Sequence, residues 1–420
     1  MKFQDYKDSK TFCVYPFIHL ATLTDGTIPP CCVGRATNAT LTNSSMASAW
    51  NSPELKDIRV KMMNNEEVSN CTQCYHDEHA GVNSHRLQSN QTYYNLYTDD
   101  LAKSLESTLS DGTITVDPFT LDIRAGNTCN LKCVMCRPNE SSKWLLDSKK
   151  IMDSTENLDL KLDWAIKSNI DTKNFTWVEK EEFWKEFEQL VPNLKEIIFG
   201  GGEPFLLKSI NSLINYIVET GHSKHIKIRF HTNGTQIPVS FWPLVDKFRE
   251  IEMLFSIDGL DEQNYYVRYP AKWEEIVKNL WLSDQHNAKT MILYSLHSMS
   301  MYNLVDLYKW RLEQSFKNIN SIPIILGRVY NPTYLNPQGL PLVVKEKISK
   351  RIMDFVDENK SKHEPMFFDS LIENANWIMD SNFSNYDTLI EYIKRLDEVR
   401  GTSFEQVYPD LHKLLQNASK

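Results

Sequence analysis

Eight cysteines stand at positions 13, 31, 32, 71, 74, 129, 133 and 136, and none follows. Cysteines kept for packing would scatter along a chain. These gather at CxxC-like spacings, which in a reducing compartment reads as metal ligation and not as disulfides. The compact group is Cys129-Asn-Leu-Lys-Cys133-Val-Met-Cys136, with no histidine within twenty residues of it in sequence. A structural zinc ion takes four closed ligands, so here it would have to borrow a distant one. Three thiolates at this spacing suit a [4Fe–4S] cube with one iron open. An open iron is a place for a substrate or cofactor to bind.

The elements around that loop read as alternating strands and helices. Phe119–Arg124 alternates apolar and polar as a strand does, and runs into the cysteine loop. Glu196–Phe199, Ile226–Phe230, Met253–Ile257, Met291–Leu296 and Ile322–Arg328 read as five more strands. Helices are expected at 206–217, 239–249, 272–284 and 303–316. Repeated βα units imply a parallel sheet or barrel, whose chemistry sits at the carboxyl ends of the strands. The distinctive residues fall there: the cysteine loop, Gly200-Gly201-Gly202-Glu203-Pro204, Thr232-Asn233-Gly234 and Ser256-Ile257-Asp258-Gly259.

Composition narrows the classes further. The 420 residues are 41% apolar and 24% charged with a net charge of −9, a globular balance that argues against a protein living by neutralising phosphates. A local basic patch is compatible with that sum. No apolar run approaches the roughly 20 residues that span a bilayer, and the first seven residues carry acid with no apolar core. A cytoplasmic protein with no membrane and no nucleic-acid partner is expected.

CxxxCxxC after the first strand, followed by Gly201-Gly202-Glu203-Pro204 after the second, resembles the radical S-adenosylmethionine (SAM) superfamily over roughly residues 117–330. The resemblance implies an α/β fold, a partial (β/α)6 barrel. Cys129, Cys133 and Cys136 would hold three irons of a [4Fe–4S] cluster, and the fourth iron would take the amino and carboxylate groups of SAM. One electron from the cluster would break a C–S bond, and the 5′-deoxyadenosyl radical so formed would take a hydrogen atom from the substrate. Gly201, Gly202 and Glu203 would receive the SAM ammonium. Asn233 and Ser256 would contact the ribose or the carboxylate, and Arg268 could grip the carboxylate bidentately. For these strand-end residues the alternative is turn capping. The residue before the third cysteine, often aromatic in that superfamily, is Met135 here. A flavodoxin or ferredoxin is the reducing partner implied.

The amino-terminal cysteines resemble the SPASM/twitch modules that carry auxiliary clusters, here placed ahead of the barrel over residues 1–110. Cys13, Cys31, Cys71 and Cys74 would be the four ligands of an auxiliary [4Fe–4S] cluster. Cys32 is the spare, because adjacent strand residues point to opposite faces. Four thiolates fit a structural zinc ion by count as well. Phe17–Leu20 and Thr27–Pro29 flank Thr24-Asp25-Gly26 as a hairpin would.

Residues 141–180, with Trp144, Trp164 and Trp177, read as an inserted helix and a lid-like loop or as surface decoration. Asn331–Pro337 is a breaker-rich linker, and 340–420 a helical appendage covering an open side of the barrel. Tyr265, Tyr266 and Tyr269 read as packing more than as a substrate face. Three functions stay open: a radical SAM enzyme acting on a peptide or protein side chain, one acting on a sugar or nucleotide, and a non-enzymatic metal-binding protein.

Overall fold

The computed structural model describes residues 3–6, 8–79, 83–317, 324–363, 367–381 and 383–418. It divides into two compact units. One holds Met1–Thr128, Asp171–His231 and Leu244–Ile251; the other holds Cys129–Ile170, Thr232–Pro243 and Glu252–Lys420.

In the first unit four parallel strands pair in the order β1 (His19–Ala21), β2 (Thr120–Arg124), β3 (Glu196–Gly200) and β4 (Lys227–Thr232). Side chains alternate across a strand, so Leu121, Ile123, Ile197, Phe199, Ile228 and Phe230 are buried on one face. The other face carries Asp122, Arg124, Glu196, Lys227, Arg229 and His231. The helix Lys208–Glu219 buries Ile210, Leu213, Ile214 and Ile217, the i, i+3, i+4, i+7 set that its sequence spacing predicts. Arg59 is fully buried and donates to the carbonyls of Pro16, Trp50 and Gly112, which ties the segment after Cys13 to residues 50 and 112.

Two expectations change in this unit. The residues read as a hairpin do not pair with each other: Tyr15–Ile18 is a helical turn, and His19–Ala21 pairs parallel with Thr120–Asp122. A tight turn survives at Gly26, whose φ of +81° needs glycine and against which the Trp177 ring packs. Trp177 is thus core, buried and donating to the carbonyl of Thr24, and not part of a lid.

In the second unit β5 (Glu250–Ser256), β6 (Lys289–Leu296) and β7 (Ile325–Arg328) pair parallel from Glu252 onward. Residues 322–323 of the last expected strand lie outside the described residues. Helices Trp273–Gln285 and Leu304–Glu313 follow β5 and β6. The helix expected over 239–249 is only a 3-10 turn and the single turn Trp242–Val245. Pro243 fits a first helical turn, and β5 begins at Glu250, leaving no room for more. Parallel strands followed by helices in each unit are the plan of a partial α/β barrel.

Residues 141–180 also depart from a lid-like loop. Two helices, α1 (Trp144–Ser154) and α2 (Leu158–Ser168), fill most of the stretch, with Trp144 and Trp164 fully buried and their rings 4.9 Å apart. The expected linker is buried at Tyr334–Gly339. The carboxyl-terminal helices include α3 (Tyr386–Arg400), which packs on α1 and α2. Among the described residues no helix is long and apolar enough to cross a membrane.

Candidate functional site

The Cys129–Cys136 loop is held from several sides within the second unit. Lys132–Cys133 pairs antiparallel with Arg268–Tyr269, and the Val134 N–H donates to the Val267 carbonyl. The loop carbonyls are taken by side chains. Trp144 Nε1 donates to Cys133 O at 3.0 Å and Tyr392 Oη to Val134 O at 2.8 Å. Arg137 donates to Val134 O and Cys136 O, and Arg400 to Lys132 O. With these carbonyls satisfied, the loop is held in place to present its three thiols.

Those thiols sense one another. Cys133 is pushed down to about 7, first by its hydrogen bond with Cys136 and then by the Arg268 guanidinium against the effect of burial. Cys136 is raised, first by that same bond and then by burial, with Cys129 contributing. Arg268 Nη1 lies 3.8 Å from Cys133 Sγ, and Asn233 Nδ2 lies 3.9 Å from Cys129 Sγ. Two of the expected SAM contacts therefore touch the cysteine sulfurs. Arg268 is also engaged elsewhere: its Nε stands 2.7 Å from Asp258 Oδ2 and its Nη2 donates to Ser295. That ion pair competes with a bidentate grip on a ligand carboxylate. Asn233 donates to Asn130 and accepts from Thr235. Ser256 ends β5, half-buried.

The Gly201–Glu203 segment belongs to the first unit. A Cβ on Gly201, at φ +104°, would meet Ala125 N at 2.8 Å, and one on Gly202 would meet Thr128 O at 2.1 Å. The glycines thus let this strand end lie against residues 124–128, which lead directly into Cys129. Gly202 N–H bonds Gly126 O and Glu203 N–H bonds Thr128 O. Glu203 is buried, and its Oε1 accepts from Phe205 N–H, capping the turn Pro204–Leu206. Capping and a ligand contact are compatible in a carboxylate with two oxygens.

Also in the first unit, Cys13, Cys31, Cys71 and Cys74 line one small cavity, together with Tyr15, His85 and Arg86. The residues flanking Cys13 are pinned: Asn90 accepts from Val14 N–H and donates to Phe12 O, which also accepts from Arg86. Burial raises the thiols of Cys13, Cys31 and Cys71, the last to about 12, and the neighbouring thiols add to it. Mutual repulsion of this kind between buried thiolates is what a bound metal relieves. Among the described residues no three metal-type side chains close on one point as around a single ion. A cube's thiolates each take a different iron and stand wider apart. Cys32 does not line the cavity; it is exposed, with Sγ 3.5 Å from His85 Nε2. The structure thus brings the four expected ligands to one cavity and leaves Cys32 outside it.

Sequence reasoning missed Arg137, Tyr392 and Arg400. Arg137 is buried, lies over the Trp164 ring at 4.2 Å and bonds Tyr334 and Asp163. Its place beside Cys136 was the one visible signal; Tyr392 and Arg400 had none.

Residues 123–299 match the model of the radical SAM superfamily, and residues 13–75 match SPASM, an iron–sulfur cluster-binding domain. No curated protein matches. Among solved structures, native anSMEcpe with bound AdoMet is 18% identical with a TM-score of 0.36, over 58% of this chain and 61% of that one. SuiB of Streptococcus suis bound to the precursor peptide SuiA is 14% identical with a TM-score of 0.38, over 81% and 70%. The chain spans about three fifths of the first of these.

Proposed function

We propose that the chain, whose residues 123–299 match the radical SAM superfamily and whose residues 13–75 match an iron–sulfur SPASM domain, is a radical SAM enzyme that abstracts hydrogen from a peptide or protein side chain. The observation that carries this reading is the four-thiol cavity. Its lining residues Tyr15 and His85 stack on each other at 5.3 Å, and His85 meets Cys32. A closed auxiliary cluster there would be an electron acceptor set in the same unit as the charged strand face of Asp122, Arg124, Glu196 and Arg229. Asp122 and Glu196 are buried there, while Arg124 and Arg229 stay part-exposed and could meet a peptide carboxylate or carbonyl. The reading of a sugar or nucleotide substrate differs in the ligand bound on that face.

When bound, the cluster and SAM supply one-electron cleavage of a carbon–sulfur bond and removal of a hydrogen atom from the substrate. The protein's own residues do the rest. Cys129, Cys133 and Cys136 hold three irons. Arg268 and Asn233 steady two of the sulfurs, and such outer partners are commonly worth about 10- to 100-fold in metal affinity or activity. Gly201 and Gly202 shape the strand end, and Glu203 offers its second oxygen to the SAM ammonium. Asn233 and Ser256 are the strand-end contacts to ribose or carboxylate.

Anaerobic holoenzyme given SAM, a reductant and a library of uniformly deuterated peptides tests the substrate class. Deuterium is expected in 5′-deoxyadenosine. Transfer from labelled sugars or nucleotides, and none from peptides, would overturn the peptide reading.

The Glu203 role separates from its cap by one substitution. Glu203→Gln keeps an oxygen for Phe205 N–H, so thermal stability should hold. Losing a charge-assisted contact of about 1.5–3 kcal/mol should weaken SAM binding by roughly 10- to 100-fold, read by equilibrium binding. Unchanged affinity would leave Glu203 a cap alone.

A further inference from the structure

Helix α2 is apolar on two faces. Leu160 and Trp164 are buried inside, while Leu158, Leu162 and Ile166 are 78, 62 and 67% exposed. Positions i, i+4 and i+8 form one ridge along a helix. On α1, Leu146 is 76% exposed. A helix in a soluble protein normally turns charge outward, and four large aliphatics this open within one helical hairpin mark an interaction surface.

The inward side of the same hairpin grips the cysteine loop. Trp144 bonds the Cys133 carbonyl, Asp147 pairs with Lys132, and Asp163 pairs with Arg137. Anything seated on the outer face is therefore one helix thickness from the loop.

We propose that this outer face of α1 and α2 is the docking site for a small, acidic one-electron carrier protein of the flavodoxin or ferredoxin kind. Three observations select that occupant. Four aliphatics are far short of the roughly 20–30 residues a side of a stable interface, whereas electron-transfer encounters sit at the small end; this disfavours a second copy. In a chain of net charge −9, Leu146 has exposed Lys149 and Lys150 three and four positions on along its own helix, and exposed Lys143 at the helix's N-cap. Acids Asp153, Glu156 and Asp159 gather instead around the α1–α2 turn. The bonds just described place the docked carrier against the loop that needs its electron. At each encounter the reduced carrier loses one electron and the cluster gains one, with no bond made or broken.

The proposal rests on the loop holding a SAM-binding cluster, and the test separates the two. Holoenzyme, Leu162→Glu and the double variant Lys149→Glu/Lys150→Glu are compared under two reductants, dithionite and an NADPH-driven flavodoxin system. Calorimetric titration with oxidised flavodoxin gives the affinity independently of turnover. Both variants should bind flavodoxin at least about tenfold more weakly, and carrier-driven SAM cleavage should fall as far. Dithionite-driven cleavage should be unchanged. The wild-type carrier-driven rate should fall as salt rises, as steering by opposite charge requires. Unchanged flavodoxin affinity overturns the proposal. So does a loss confined to peptide modification, or a dimer that Leu162→Glu splits. Equal losses with both reductants would make the face a support for the loop, and the proposal fails. Wild-type protein that cleaves no SAM under either reductant would sink the cluster reading instead.

Discussion

Cys133→Ala protein is expected to make no detectable 5′-deoxyadenosine while keeping about half of the wild-type iron. Cys133 is buried, bonded to Cys136 and touched by Arg268, so its loss removes one iron ligand and unseats a second. The fall should exceed the roughly 10- to 100-fold that an outer-shell change costs. The remaining iron belongs to the four-thiol cavity, whose ligands lie in the other unit. Iron and sulfide analysis with anaerobic SAM-cleavage assays checks both halves. Measurable 5′-deoxyadenosine from this variant would remove Cys133 from the ligand set.

The double variant Cys71→Ala/Cys74→Ala should do the converse. Two of four ligands are lost from one cavity, too few to keep a cube, so iron falls by about half. SAM cleavage without substrate turnover persists, because the Cys129–Cys136 loop is untouched. Product formation falls to background if the auxiliary cluster accepts the electron that a substrate radical gives up. Cys32→Ala, altering a thiol outside the cavity, should leave iron unchanged and serves as the control. Full product formation by the double variant would reduce the auxiliary site to a structural role, and iron lost from Cys32→Ala but kept by Cys31→Ala would reverse the ligand choice.

How much of this was legible beforehand depends on distance along the chain. The Cys129–Cys136 spacing and the Gly201–Glu203 segment are local, and so are the period-2 strands and the period-3.6 helix Lys208–Glu219; each could be read in place. Contacts between distant segments could not. His19–Ala21 looks like half of a hairpin because its parallel partner, Thr120–Asp122, is a hundred residues away. The tryptophans at 144, 164 and 177 look like a surface insertion until the loop and the Gly26 turn that they cover are placed. The glycines at 201 and 202 were legible as a motif, but their close approach to residues 124–128 was not. Arg268 shows the same limit: its identity suggested a ligand contact, and only the fold reveals Asp258 beside it.

Tyr392 and Arg400, which close over the carbonyls of Val134 and Lys132, impose an order on the making of the protein. Ribosomes add about 5–20 residues per second, so the cysteine loop emerges tens of seconds before the residues that fix it. The four thiols at 13, 31, 71 and 74 are all synthesised earlier still, with Arg59 between them and Arg86 soon after. Assembly of the two metal sites is thereby staggered, and the loop cannot reach its final form until Tyr392 and Arg400 have left the ribosome. Stalled nascent chains ending near residue 380 should show a fully alkylatable Cys133, whereas the released chain should protect it; equal labelling in both would remove the staggering.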